Sequence, residues 1–297
     1  MADVQNTYAG NRIQNREDLS DVIGELSPMD TPIYGKLEKG KATNVYHEYL
    51  TQEQVRGAGA SAYAEGTAAG TANNLTPTRN VNYVETVEAP YQVSREQNIV
   101  DAVGGSELAK QRRYAMAAWK TKMENEIIWG SGISGTSGTA RIMKGFLTLL
   151  STATNASGQS ITENRLNSYV QNVWENSTGG TIMLFADASL KRTISENFVT
   201  STTKNLEASK ASKLITNIEV YESDFGTIEM YPHRDLAGSD RLFMFRDNTA
   251  KLAVFDTPHI EELSRDGYFE KEAILGSGTL EVNFPKGGIS VENITAA

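Results

Sequence analysis

The chain has 297 residues and no cysteine. Disulfides, thiolate nucleophiles and cysteine-ligated metals are therefore excluded. Histidine is nearly as scarce. His47, His233 and His259 are the three in the chain, and none has a partner at His-x-x-x-His spacing. They read as structural or exposed side chains rather than as ligands or catalysts. Positive charge is also in deficit, with 28 Lys and Arg against 37 Asp and Glu and a formal net charge of -9. A protein whose main task is to grip a nucleic-acid backbone needs a basic footprint. This balance argues against that task, while leaving room for a protein that encloses nucleic acid without holding it tightly. No run approaches the roughly 20 apolar residues of a membrane span, so no membrane association is expected. The opening MADVQNTYAGNRIQNREDLSD has no apolar core of a secretory signal, so folding in a cytoplasm is the expectation.

Motifs for chemistry are missing too. The segment GSGISGTSGTAR at 130–141 lacks the Gly-Lys-Ser/Thr ending of a phosphate loop and reads as a surface loop. No Gly-x-Ser-x-Gly elbow precedes a helix. Asp18 with Asp21, and Asp235 with Asp240, do not match a calcium loop. The sequence thus assigns no catalytic, cofactor-binding or metal-binding residue and implies no cofactor. An enzyme is the runner-up class.

What is present is a ribbon pattern followed by a long helix pattern. Residues 43–50 (TNVYHEYL) and 79–88 (RNVNYVETVE) are rich in β-branched and aromatic residues and read as strands. Neither has a clean apolar face, as a strand buried on one side should. A two-stranded ribbon of this kind is marginal alone and should need a partner surface. Residues 51–78 connect the strands with mostly Gly, Ala, Ser and Thr, far more chain than the usual 2–5 residues of a hairpin loop. Residues 106–129 then read as one helix. Ser106 supplies an N-cap, and Leu108, Ala115, Trp119, Met123 and Ile127 keep to one side.

Other elements follow from pattern. Leu19, Val22, Ile23 and Leu26 have the spacing of one helical face, and Pro28 and Pro32 bracket a stiff extended or turn segment. Lys36, Lys39 and Lys41 form a basic knot around Gly35 and Gly40. Residues 142–150 read as a short buried segment. A helix is expected from Ser160 to Trp174, then a central strand TIMLFAD (181–187), then a helix from Ala188 to Val199. This helix–strand–helix order suggests an α/β unit. Two strands are expected at 217–223 and 227–233, joined by Asp224, Phe225 and Gly226, a pair at 241–247 with 250–256, and further strands at 268–275 and 278–284. A last strand is expected from Ile289 to Ile294.

The stretch NREDLSDVIGELSPMDTPIYGKL, followed by GKATNVYHEY, resembles the major capsid proteins of tailed bacteriophages with the Hong Kong 97 fold. Asn15 to Asp18 and Ser27 to Pro32 carry the resemblance, and Lys41, Ala42 and Thr43 open the extended loop. The resemblance implies an α+β chain in five parts. These are an N-terminal arm (1–37), an extended β-hairpin loop (38–91), and a peripheral domain (92–144) with its spine helix at 106–129. An axial α/β domain (145–255) and a return to the peripheral domain (256–297) complete the chain. It implies hexamers and pentamers of this chain in an icosahedral head shell. Double-stranded DNA would be enclosed without sequence-specific binding. A portal protein is an implied partner, with separate scaffolding or decoration proteins as options. The implied location is the virion, assembled in the host bacterial cytoplasm. Candidate intersubunit contacts are Arg16, Glu17, Asp18, Pro28 and Pro32 on the arm, and Lys36, Lys39 and Lys41 after it. On the ribbon and its tip they are Tyr46, Tyr49, Tyr63 and Tyr83. A tail or head–tail adaptor is the alternative within phage structure.

Overall fold

The computed structural model describes residues 30–53, 60, 62, 64–66, 74–100, 105–177, 179–201, 219–265 and 267–295. The arm residues Arg16, Glu17, Asp18 and Pro28, the helix expected around Leu19 to Leu26, and Tyr63 lie outside them. In chain order the first half contains α1 (Pro32–Lys36), β1 (Glu38–Lys41), β2 (Tyr46–Thr51), β3 (Thr78–Tyr83), β4 (Glu85–Ser94), α2 (Arg95–Ile99) and α3 (Glu107–Trp129). There follow β5 (Ser131–Ile133), β6 (Ile142–Lys144), α4 (Phe146–Leu149), β7 (Thr152–Ser160), α5 (Glu163–Asn176), β8 (Ile182–Ala186) and α6 (Ala188–Ser201). The last third is β-rich, with β9 (Val220–Ser223), β10 (Gly226–Pro232), β11 (Leu242–Arg246), β12 (Ala250–Glu262), β13 (Phe269–Val282) and β14 (Gly288–Thr295).

Two larger sheets organise the chain, one of order β1-β12-β13-β4 and one of order β7-β14-β11-β8-β10-β9. The helix α3 lies between them. Its 23 residues span about 34 Å. Ala115, Trp119, Met123 and Ile127 recur every four residues and are all buried, as their spacing predicts. They meet Val87, Ile274, Leu252 and Leu280 of the four-stranded sheet. Trp119 also donates its indole N–H to the Val87 carbonyl at 3.0 Å. A buried indole needs such a partner.

The strand TIMLFAD is central, as its continuous apolar run predicts. Every residue of β8 is buried. Alternation divides these side chains between two cores. Met183 and Phe185 face the α3 side with Phe243 and Phe245 of β11. Ile182, Leu184 and Ala186 face the other way, with Leu166, Val170 and Val173 of α5 and Leu190 and Ile194 of α6. Phe146 of α4 stacks on Phe245 with centroids 4.3 Å apart. The six-stranded sheet is therefore sandwiched between α3 with its surroundings and the pair α5 and α6.

Several expectations are corrected. β11 and β12 do not pair with each other. β11 lies between β8 and β14, while β12 lies between β1 and β13. The turn at 247–249 instead carries the chain from one sheet to the other, with Arg246 anchored on the carbonyls of Gly179 and Gly180 at 2.9 and 2.7 Å. The expected break near residues 276–277 is absent, and β13 runs unbroken through fourteen residues. Gly276 serves packing rather than a turn, since a Cβ there would lie 2.6 Å from the Trp119 ring. The expected strand 79–88 is cut at Val84, whose N–H bonds to Val45 O while β4 leaves to join β13. The loop at 130–141 is bracketed by the short β5–β6 pair. β7 has no counterpart in the sequence reading. Its composition, TATNASGQS, has no apolar alternation because it is an edge strand held by its ladder to β14. β14 lies inside the six-stranded sheet, between β7 and β11, rather than with β12 and β13. The helix expected from Ser160 starts at Glu163 after Thr162. Ser106 precedes α3 without a side-chain cap bond.

α1 has an unusual cap. Pro32 opens it and has no N–H, and Thr31 makes no side-chain cap. The two Glu124 carboxylate oxygens, reaching from α3, instead accept from the N–H groups of Ile33 and Tyr34, both at 2.7 Å. Glu124 is fully buried and also accepts from Nε2 of the buried His233 at 2.8 Å. Nδ1 of His233 accepts from the Asp235 N–H at 3.2 Å, which leaves the proton on Nε2.

Two outcomes test this packing. Trp119→Ala should lower unfolding free energy by about 3–5 kcal/mol in chemical denaturation of unassembled subunits. Glu124→Ala should cost a similar amount, about 3–5 kcal/mol, because it strands three buried donors around an apolar side chain. A denaturation midpoint unchanged in either variant would contradict the placement of that residue.

Candidate intersubunit surface

β2 and β3 form a separate two-stranded ribbon, with Tyr46 opposite Tyr83 and Thr51 opposite Thr78. The sequence reading gave it no buried face within one chain, and the structure corrects that for its root. Alternation puts His47, Tyr49 and Asn82 on the inward face. Asn82 is fully buried and ties three elements together. Its amide donates to Leu280 O at 2.6 Å and to Lys144 O at 3.1 Å, and its oxygen accepts from Lys144 N at 2.7 Å. His47 bonds Glu281 at 2.9 Å, and Lys251 pairs with the other oxygen of that carboxylate at 3.0 Å. Tyr49 is buried, and that burial pushes its phenol pKa up.

The outward face is different. Tyr46 and Leu50 are 47% and 65% exposed. Tyr46 meets Tyr83 edge to face at 5.8 Å, and Glu48 pairs with Arg79 at 3.4 Å in the open. Lys144 of β6 lies 5.6 Å above the Tyr83 ring on this face, so its open part is the Tyr46 and Leu50 side. Beyond β2, Glu53 pairs with Lys286 of the same chain at 2.7 Å, so the inward face is held along the ribbon while Tyr46 and Leu50 stay exposed.

Just past the root lies Glu85, on β4 and nearly inaccessible. One of its oxygens accepts from Met143 N–H at 3.1 Å. Burial raises its pKa from 4.5 to about 7, against the lowering effect of the Met143 bond, and nearby Glu126 raises it further. Arg141 donates to the adjacent Val84 carbonyl at 3.2 Å.

The other expected contact residues lie on α1 and β1. Pro32 is the first residue of α1 and half-buried. Lys36 pairs with Glu229 at 3.4 Å and lies 4.4 Å above the Tyr231 ring, and Lys39 lies 4.6 Å above Tyr34. These two lysines are tied into their own chain. Lys41 is exposed on the edge strand β1. Tyr46 and Tyr83 share the outward face, whereas Tyr49 packs inward.

Two surface concavities are present among the described residues. One, of about 320 Å³, lies between Tyr46, Thr86 and the β5–β6 tip with Thr136, Thr139 and Arg141. Its lining holds no carboxylate or histidine to activate a hydroxyl. The other, of about 460 Å³, is an apolar groove between α3 and β4. Sequence reasoning missed it, since it forms where two distant segments meet. Among the described residues, no cluster of three metal-capable side chains occurs, and no helix is long and apolar enough to cross a membrane.

The family model for the SU10 major capsid protein matches residues 3–295. The chain belongs to that family. As a major capsid protein it is a self-assembling subunit of an icosahedral shell. No curated protein matches it. Solved structures similar to it include the capsid of cyanophage A-1(L), at 10% identity and a TM-score of 0.70, covering 94% of this chain and 97% of that one. The capsid of Myoviridae phage XM1 is 14% identical with a TM-score of 0.64, covering 98% and 100%. The SrpI encapsulin of Synechococcus elongatus PCC 7942 is 10% identical with a TM-score of 0.62, covering 99% and 97%. At such identities the likeness is one of fold. The capsid protein has the Hong Kong 97-type fold that its N-terminal motif implied.

The capsid subunit should show a pH signature from Glu85. Between the ordinary carboxylate pKa and about 7, the folded state keeps a proton that the unfolded chain has released. Stability therefore falls as pH rises through that window and levels off above it. The loss from Glu85 should be on the order of 3 kcal/mol between pH 5 and pH 8. Glu85→Gln keeps the acceptor for Met143 and should flatten that slope. Urea midpoints at the two pH values check this, and equal slopes in both proteins would rule it out.

Proposed function

We propose that this capsid protein forms the hexamers and pentamers of a tailed-bacteriophage head, enclosing double-stranded DNA without sequence-specific contacts. The observation that carries the reading is the ribbon, held on its inward face by Asn82 and exposing Tyr46 and Leu50 on its outer face. On this reading residues 38–91 are the extended loop, and α3 is the spine helix of the peripheral domain. The six-stranded sheet with α5 and α6 is the core of the axial domain. Residues 1–37 are an arm laid on a neighbouring subunit. The net charge of -9 fits a wall that must not adhere to every phosphate it encloses. Assembly in the host bacterial cytoplasm, followed by residence in the virion, completes the reading. A portal protein occupies one vertex, and separate scaffolding or decoration proteins fit the same scheme. The role is structural rather than catalytic.

Electron microscopy of particles produced by expressing the chain tests the reading. Closed icosahedral particles with hexameric and pentameric units are expected, whereas rings or sheaths would point to an adaptor or tail protein. The ribbon can be tested separately. Leu50 and Arg79 are cross-strand partners, so residues 51–78 can be replaced by a two-residue Asn-Gly turn. The variant should stay soluble and folded, because the root contacts remain. Light scattering should show loss of stable shells; normal and equally stable particles would refute an intersubunit role for the ribbon.

A further inference from the structure

We propose that the concavity at the tip of the β5–β6 pair is a binding site for a free tetrahedral oxyanion, with inorganic phosphate as the representative of the class. The site lies within one subunit and does not depend on how subunits join. It is built around Arg141. The stem of that side chain crosses Gly135, whose φ of 75° and missing Cβ leave the space, since a Cβ there would lie 2.6 Å from Arg141 Cγ. Its Nε donates to the Val84 carbonyl at 3.2 Å. That bond fixes the guanidinium, while its two terminal nitrogens have no partner among the described residues.

The chain is rich in acid, yet no carboxylate answers this charge. Arg79, Arg112, Arg234 and Arg241 each pair with a Glu or Asp. The lining around Arg141 instead contributes hydroxyls. Thr136 and Thr139 exchange both backbone hydrogen bonds, at 3.2 and 3.0 Å, and side chains paired in this way project from one face. Their hydroxyls, with those of Ser134 and Tyr46, make no hydrogen bond among the described residues. A permanently charged guanidinium flanked by these uncommitted hydroxyls offers more donors than a planar carboxylate can accept. A tetrahedral anion presents oxygens in enough directions to meet them, and about 320 Å³ leaves room for the ion with part of its water.

An ion here has a structural consequence. Arg141 holds Val84, between the end of β3 and the start of β4, and Tyr46 opens β2. An occupied site therefore ties the β5–β6 tip to both strands of the ribbon at their root.

Calorimetric titration of unassembled subunits with sodium phosphate, at ionic strength matched with sodium chloride, tests the site. Saturable one-site binding is expected. Arg141→Gln should weaken it about tenfold or more, because charge-assisted hydrogen bonds are lost. Thr136→Val with Thr139→Val leaves the Arg141–Val84 bond in place and should weaken binding roughly threefold or more. This second variant decides the matter should Arg141→Gln fail to fold. Sodium acetate should not compete; acetate binding as tightly as phosphate would overturn the tetrahedral class. A short DNA duplex separates the two sources of phosphate. Arg141-dependent binding of the duplex with none of the free ion would overturn a free-anion site and assign the concavity to the nucleic-acid backbone. No saturable phosphate binding, or binding that both variants leave unchanged, would overturn the site itself.

Discussion

Glu124 is the group on which the arrangement of this capsid subunit depends. A carboxylate with no access to water is costly unless its lone pairs are satisfied. Here three donors converge on it: two backbone N–H groups of α1 and Nε2 of His233. The donors belong to two different problems of the fold. α1 begins with a proline and has no cap of its own, so its first turn exists against α3 or hardly at all. His233 follows β10 at the end of the six-stranded sheet and continues into the turn at Arg234. One side chain in the second half of the long helix therefore joins the chain entering the body, the helix itself and the end of the six-stranded sheet. The entry is reinforced where Tyr34 packs edge to face on Trp119 at 5.9 Å.

The same helix sets the geometry of the four-stranded sheet. Trp119 lies over Gly276, and no larger residue fits beneath it without displacing the ring. Further along, Arg112 makes a two-pronged pair with Glu272 of β13 at 2.8 and 2.6 Å, and Tyr91 of β4 donates to that carboxylate at 2.5 Å. Arg112 holds the Glu272 carboxyl below its usual range, so the pair stays ionised. Helix, central strand and edge strand are thus fixed at two points along α3, by packing at Trp119 and by charge at Arg112. A rigid axle of this kind lets distant parts of the chain act as one body when neighbours pull on them.

Legibility from sequence followed the range of the interactions. The helices α3, α5 and α6 and the strand β8 were readable because local periodicity reports burial directly. The N-terminal motif was readable because it is a specific string, and it implied the family. Pairing was not readable where apolar strands followed each other, since β11 and β12 look like a hairpin until the second sheet is known. Gly276 looked like a break because its reason, the Trp119 ring, lies more than 150 positions away. β7 was invisible because an edge strand held by backbone bonds needs no apolar pattern. Among the expected contact tyrosines, alternation alone placed Tyr46 and Tyr49 on opposite faces of the ribbon. Only the packing of β13 decided which face turned inward.

The ribbon combines two properties that would conflict in a free-standing monomer. Its root is satisfied in detail, with Asn82 using both donor and acceptor atoms on neighbouring elements. Its outer face leaves much of Tyr46 and Leu50 in water. Such surface stabilises only when another molecule covers it, and then the gain grows with concentration and with the number of subunits joined. The root supplies what coverage alone could not, a fixed direction. On the proposed intersubunit reading, less orientational freedom remains to be lost on association, so modest apolar area converts to useful affinity. A subunit that must stay soluble before assembly and hold firmly after it is served by this division between a fixed root and an uncovered face.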